Sequence, residues 1–258
     1  MIIDFKKYSS VRIGEKFEVE VLEQKCEFEG FLIGGANNLL ISNAPKKLGI
    51  LGKNFDFIEI LEKNKEFCIL KVGCATKSST MYRFAKENGL GGFEFLSKIP
   101  GTLGGLLKMN AGLKGESISK HLESIELLEG EILKENIAFA YRFNPLKNPM
   151  FGAKFKLYFG FDTQKDELLK NMRDNQPKGP SFGSIFKNPQ DDFAGRLIEA
   201  VGLKGFCKND AMISDKHANF LINKKNASFE DAIYLIELAR SRVFEEFGVK
   251  LENEVIVI

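Results

Sequence analysis

The stretch PSFGSIFKNP, residues 180–189, sets a hydroxyl, Ser184, directly after a glycine and closes in a Lys187-Asn188-Pro189 corner. Serine is a nucleophile when a base takes its proton, and a proton donor when it faces a group more basic than itself. The first role is disfavoured. The local pattern is G-S-I-F, not the G-x-S-x-G of a strained nucleophile elbow, and no carboxylate pattern stands near His121 or His217 to orient either as a base. Both histidines lie in strand-like sequence and read as satisfied polar groups at strand edges. Two phosphate motifs also fail. Gly73–Ser78 (GCATKS) lacks the second glycine of a phosphate loop, and the G-x-G that begins at Gly89 reaches Glu94 where a dinucleotide fingerprint needs glycine. A Rossmann nucleotide site is therefore disfavoured. What remains is GLGGFEFLSKIPGTLGGLLKMNAGLKG, residues 89–115, so crowded with glycine that it predicts an ordered loop rather than a regular element.

The elements that must position these residues read as follows. Lys16–Leu22 (KFEVEVL) alternates as a half-buried strand, with residues 26–33 as its expected partner. Residues 67–72 form a second strand, followed by a helix capped at Ser78 or Ser79 that carries Met81, Phe84 and Ala85 and stops at Gly89. Strands return at residues 124–128 and 154–161, the latter with Phe155, Leu157, Phe159 and Phe161 on one face. The pattern then turns helical. A short helix runs from Asp166 through Leu169 and Met172 and ends before Pro177, and residues 192–201 place Phe193, Leu197 and Val201 on one stripe before Gly202. Ser228 opens a longer helix with Asp231 three residues on, a capping-box variant, and Ile233, Ile236, Val243 and Phe247 face the core before Gly248. A strand at residues 254–258 closes the sequence. There is no internal repeat.

Composition narrows the function. With 258 residues, 44% of them hydrophobic, the chain can bury a core for two domains, and 37 basic against 35 acidic side chains give no reason to expect a nucleic acid or an anionic membrane. Cys26, Cys68, Cys74 and Cys207 form no C-x-x-C pair and match neither a zinc site nor a disulfide framework, so they read as reduced thiols and no metal is expected. The N-terminus has no long apolar core, and no run of about 18 apolar residues occurs anywhere, which predicts a cytoplasmic protein.

Five blocks, taken together, resemble the UDP-N-acetylenolpyruvoylglucosamine reductase (MurB) family. They are IGGANNLLIS (33–42), GLGGFEFLSKIPGTLGG with MNAG (89–112), YRFNPLK (141–147), PSFGSIFKNP, and AGRLIEAVGLKG through HANFLIN to LENEV (251–255), in the family's order over nearly the whole chain. The resemblance implies an α+β protein: an FAD-binding fold of the vanillyl-alcohol oxidase/PCMH type with a C-terminal α+β substrate-binding domain. The first two blocks look like its flavin site. Gly34, Gly35, Asn38, Gly101, Gly104 and Gly105 would offer backbone N–H groups to the FAD diphosphate, which glycine lets approach closely, and Asn37, Thr102 and Asn110 would add side-chain hydrogen bonds, with Leu39 and Pro100 beside them. The family usually has a third glycine and then serine where this chain has Ala36 and Asn37, and often glycine at Lys98. A loop that carries a substrate-covering tyrosine in one branch of the family has no room here, so the chain resembles the compact branch.

The same resemblance implies a reaction. UDP-N-acetylglucosamine enolpyruvate would be reduced to UDP-N-acetylmuramate in peptidoglycan precursor synthesis, with NADPH as reductant, hydride from flavin N5 and a proton from Ser184. A serine hydroxyl is a weak acid, yet a carbanionic enolate is basic enough to take its proton, and no histidine is required. Arg142 would hold the substrate carboxylate with its fixed fork of donors. Glu254 is expected to be kept protonated by desolvation and the substrate anion, so that it donates a hydrogen bond. Lys204 and Asn188 would contact the UDP end, with Tyr141, Lys187 and Gln176 as further candidates; His217 and Asn219 receive no role.

The expected layout is a flavin region, 1–163, in two subdomains of about 1–43 and 44–163, a substrate domain, 164–248, and a terminal strand, 249–258, returning to the flavin side. The expected protein is monomeric, with a small-molecule partner. Two rival readings are a flavin oxidase of the same fold, which would lack the Ser184 acid, and a sugar-nucleotide-binding protein without turnover.

Overall fold

A computed structural model describes residues 1–171 and 176–258, an α+β chain whose contacts form two compact units. The central unit comprises Val19–Gly35 and Lys47–Arg173; the terminal unit comprises Met1–Glu18, Ala36–Lys46 and Asp174–Ile258. The packing thus divides the chain differently from a boundary near residue 163. The reason lies in the early apolar residues: Val11, Ile13 and Leu40 are buried in one cluster with Phe182, Ile185, Leu197, Leu235 and Val255, so two N-terminal segments pack with the C-terminal one.

The central unit is built on a five-stranded antiparallel sheet in the spatial order Glu131–Leu133, Leu122–Glu126, Gly152–Tyr158, Phe67–Gly73, Ile58–Lys63. Strand alternation puts Cys68, Leu70 and Val72 on the same buried side as Ala153, Phe155 and Leu157, under Met81 and Ala85 of the helix Ser78–Glu87. A fully buried Phe or Leu contributes about 1.5–3 kcal/mol, so this layer outweighs any single loop hydrogen bond. The expected stripe stops short. The strand ends at Tyr158, Gly160 turns at φ 117°, and Phe159 is 38% exposed. Lys77, not a serine, caps the following helix, and it makes no side-chain bond.

Two other expectations fail for a shared reason. The segment 26–33 does not pair with Lys16–Leu22; Phe31–Leu32 instead runs parallel to Leu48–Leu51, which takes Val19–Leu22 on its other side. Within the glycine run, Glu94–Lys98 winds a 3₁₀ turn and Leu103–Lys108 a short α-helix. Leu103, Leu106 and Leu107 are buried at the i, i+3, i+4 spacing, and that burial overrides two glycines. In both places a distant partner decides. The helix Thr163–Asn171 follows, with Asp166 and Leu169 buried; Met172 of the expected helix lies outside the described residues.

In the terminal unit the capping box forms as read. Ser228 and Asp231 exchange their bonds, the helix Phe229–Phe247 runs on to Gly248 at φ 67°, and Ala232, Leu235, Ile236, Ala239 and Val243 are buried. Ile233 packs at the margin of that face, and Phe247 is 38% exposed rather than core. The shorter helix is Ala194–Ala200, with Ala194, Leu197 and Ile198 inward; Phe193 stands 68% exposed, which rotates the stripe by one residue. Strands Cys207–Lys208, Ala211–Ile213 and Leu221–Asn223 form a meander, and Ile256–Val257 pairs in parallel with Leu39–Leu40. All four cysteines are free. Among the described residues no helix is long and apolar enough to cross a membrane, and no group of three His, Cys, Asp or Glu side chains could hold a metal.

Candidate active site

Ser184 lies on a short extended segment held from both sides. Gly183, at φ 86°, turns the chain into it, with its N–H on Ser181 Oγ at 3.2 Å. On one side Ser184 bridges Phe220, and the Ile185 N–H donates to the Asn219 carbonyl at 2.8 Å. On the other, the Ile185 carbonyl accepts from Glu254 N–H at 2.8 Å and Val255 N–H at 3.2 Å, while Lys187 N–H donates to the Glu252 carbonyl at 2.9 Å. One residue, Ile185, therefore couples Ser184 to Glu254. The Ser184 hydroxyl itself is half-buried and has no hydrogen-bond partner among the described residues.

Two further supports fix the Glu254 segment. Asn38 Nδ2 donates to the Glu254 carbonyl at 2.9 Å, and Ile256 N–H donates back to the Asn38 carbonyl at 3.1 Å. From the long helix, Arg240 Nη2 donates to Asn253 Oδ1 at 2.7 Å. Leu39, expected beside the flavin, is buried in the parallel pair with Ile256. Ala36, where the family usually has glycine, adopts φ 47° while buried, and its carbonyl accepts the Ser10 N–H. The glycine conformation is thus kept with a methyl group, at a cost of about 1–2 kcal/mol.

Both histidines sit beside strands, in the turns that lead into them, and neither meets Ser184 among the hydrogen bonds of the described residues. His217 Nδ1 accepts the Asn219 N–H at 3.2 Å, its ring meets Phe220 edge-on at 5.0 Å, and a side chain at Gly195 would strike it. Burial pushes both imidazoles below the usual 6.5. A histidine held neutral binds fewer protons folded than unfolded, so its stabilisation is full above 6.5 and is lost as pH falls through the folded value. We expect the thermal midpoint to begin to fall on acidification below pH 6.5, before the ordinary carboxylate range is reached. His217→Gln should flatten that dependence; a midpoint that rises in this window would contradict it.

In the central unit, Tyr141 and Arg142 form the tip of a tight turn closed by two hydrogen bonds between Ala140 and Phe143, each 3.1 Å. Arg142 takes φ 54°, stacks its guanidinium on Tyr141 at 5.2 Å and donates from Nη2 to the Gly112 carbonyl at 2.9 Å. Asn110 Nδ2 reaches the Ala140 carbonyl at 2.9 Å, and Lys108 Nζ the Leu146 carbonyl at 2.7 Å. The glycine-rich helix thereby clamps the arginine turn. A cleft of about 910 Å³ opens there, lined among others by Asn110, Ser119, Ile137, Phe139 and Tyr141.

The flavin candidates of this unit can be tested against a diphosphate. A Cβ at Gly34 would overlap Thr102 Oγ1, so glycine lets the threonine hydroxyl approach the backbone there. Gly101 turns at φ 132°, and the N–H groups of Gly101, Thr102 and Gly105 take no partner among the described residues. These unpartnered N–H groups fit a bound anion. Asn110 Oδ1 is buried without a partner among the described residues and, as an acceptor, calls for a donor instead. Gly104 corrects the expectation: its N–H already donates to the Cys74 carbonyl at 2.9 Å, and its missing side chain serves contact with Cys74. Pro100 and Lys98 are exposed, and Gly35 and Asn37 flank the passage from one unit to the other.

The remaining candidates are engaged elsewhere. Asn188 Oδ1 accepts the Ala194 N–H at 3.1 Å and so caps a helix, Lys204 pairs with Glu199 at 2.9 Å, and Lys187 with Glu252 at 3.5 Å. Tyr141 is 56% exposed and Gln176 half-buried. Sequence reasoning passed over Asn219, which is 3% exposed and bonds the Phe186 backbone twice. Its one signal was a polar residue inside the apolar run HANFLIN.

The chain is an α+β protein in which a serine and a glutamate are held on adjoining segments through one shared residue, Ile185. In comparison with known proteins, the family model for the UDP-N-acetylenolpyruvoylglucosamine reductase C-terminal domain matches residues 175–258. The chain is 75% identical over 258 residues to UDP-N-acetylenolpyruvoylglucosamine reductase of Campylobacter jejuni (strain RM1221), covering 100% of both, and 44% identical over 258 residues to that of Helicobacter pylori (strain ATCC 700392 / 26695), covering 99% of this chain and 98% of the relative. The crystal structure of UDP-N-acetylenolpyruvylglucosamine reductase (MurB) from Thermus caldophilus superposes with a TM-score of 0.84 at 28% identity, covering 100% of this chain and 98% of the other. The chain belongs to the UDP-N-acetylenolpyruvoylglucosamine reductase family.

Proposed function

We propose that this chain is the enzyme that reduces UDP-N-acetylglucosamine enolpyruvate to UDP-N-acetylmuramate with NADPH and bound FAD, a step of peptidoglycan precursor synthesis, acting as a cytoplasmic monomer. Family membership supports the activity. The observation that carries the chemistry is the Ser184 hydroxyl, uncommitted among the described residues and coupled to Glu254 through Ile185. A flavin-binding fold of the vanillyl-alcohol oxidase/PCMH type accounts for the glycine cradle. Gly34, Gly35, Asn37, Asn38, Gly101, Thr102, Gly105 and Asn110 would hold FAD, which when bound supplies the hydride.

The chain's own residues do the rest. Ser184 gives its proton to the carbon that carries the developing negative charge. Arg142 presents a planar fork to the adjacent carboxylate, and its stacking on Tyr141 fixes the plane of that fork. Glu254 donates a hydrogen bond to the enolate oxygen. Lys204, freed from Glu199, and Asn188 Nδ2 would meet the UDP end, with Tyr141 and Lys187 beside them. Glu254→Gln keeps a donor and should hold turnover within about tenfold of wild type, whereas Glu254→Ala should lose roughly 10²–10³-fold. Steady-state kcat decides: a glutamine variant as slow as alanine would remove Glu254 as donor.

An anaerobic two-step titration tests the whole reading. NADPH should bleach the yellow protein, and the enolpyruvyl sugar nucleotide should restore its colour. Colour restored by oxygen alone would make the chain an oxidase, and protein purified without flavin that refuses FAD would make it a binding module.

A further inference from the structure

We propose that Asn219 is the positioning residue for Ser184, an inference that rests on reading Ser184 as the proton donor. The Ser184 hydroxyl has no partner among the described residues, so nothing holds its direction except the backbone beneath it. That backbone is gripped by Asn219. Its side-chain Oδ1 accepts the Phe186 N–H at 2.9 Å, its Nδ2 donates to the Phe186 carbonyl at 2.8 Å, and its own carbonyl accepts the Ile185 N–H at 2.8 Å. The side-chain amide thus stands in for a neighbouring strand and extends the Ser184–Phe220 bridge by two residues. Asn219 is 3% exposed, and its backbone N–H donates to His217 Nδ1 at 3.2 Å, which anchors the main chain that carries the amide. A misplacement of about 1 Å can cost on the order of 10²-fold in rate, so a residue that touches no substrate can still govern turnover.

Asn219→Asp tests this with little change of shape. Aspartate still accepts from Phe186 N–H but sets an oxygen against the Phe186 carbonyl, which breaks half of the grip. Turnover at saturating enolpyruvyl sugar nucleotide should fall at least tenfold, with KM within about threefold and NADPH reduction of the flavin unchanged. A residue that only stabilises the fold would lower the melting midpoint and leave kcat intact below it. Ser184→Ala and the double variant complete the set. If Asn219 acts through Ser184, the double variant is no slower than Ser184→Ala; multiplied losses would overturn the proposal, as would wild-type kcat in Asn219→Asp beside a slow Ser184→Ala. Full turnover in Ser184→Ala would remove the serine reading itself and this inference with it. Should Asn219→Asp fail to fold, Asn219→Ser takes its place in the same cycle, and failure of both to fold would make Asn219 a folding element and end the proposal.

Discussion

Alanine at position 184 is expected to slow reduction of the enolpyruvyl sugar nucleotide by roughly 10²–10⁴-fold while NADPH still bleaches the flavin at the wild-type rate. The asymmetry is the informative part. Only the second half-reaction creates a carbanion, so only that half needs a proton delivered. The segment that carries Ser184 is held by backbone bonds of Ile185, Phe186 and Lys187, none of which uses the hydroxyl, so its removal leaves the scaffold in place. Stopped-flow absorbance of each half-reaction measures both rates. Equal rates for wild type and Ser184→Ala in the second step would refute the serine as acid; a loss in both steps would point to damaged flavin binding.

Arg142→Lys is expected to lower kcat by roughly 10²–10³-fold, the scale of losing one preorganised anion-stabilising group. Charge is conserved by this substitution, but geometry is not. The guanidinium lies on Tyr141 at 5.2 Å while one nitrogen donates to the Gly112 carbonyl, an arrangement that fixes the plane and heading of the group. An ammonium on a flexible stem offers neither the stack nor the fork. Unchanged steady-state kinetics in Arg142→Lys would mean that the arginine acts only as a charge, and the fork argument would fall.

Local signals were legible in the sequence wherever a residue and its neighbours in the chain decide the outcome. The capping box at Ser228, the stop at Gly248 and the alternation of Lys16–Leu22 are all of this kind. Pairing was not legible. Nothing in residues 26–33 announces that Phe31–Leu32 will run parallel to Leu48–Leu51, because that choice belongs to the later strand. Likewise the glycine run concealed a helix whose formation depends on burying Leu103, Leu106 and Leu107. The five blocks single out Ser184, Arg142 and Glu254 as candidates by type and order, but say nothing of how these residues are held. Gly104 was read as an anion donor, though its N–H serves Cys74, and Asn219 carried no visible chemistry. Side chains that support others leave little trace in a single sequence.

The bond from Asn38 to Glu254 joins positions 216 residues apart, and it lies in a unit assembled from three separate stretches of chain. During translation at about 5–20 residues per second, Asn38 must wait on the order of tens of seconds for its partner to emerge. Meanwhile Val11, Ile13 and Leu40 have no lasting cover, whereas most of the central unit is synthesised in one continuous stretch and can condense first. The early segments of the terminal unit therefore stay without their native cover until residues 174–258 have been made.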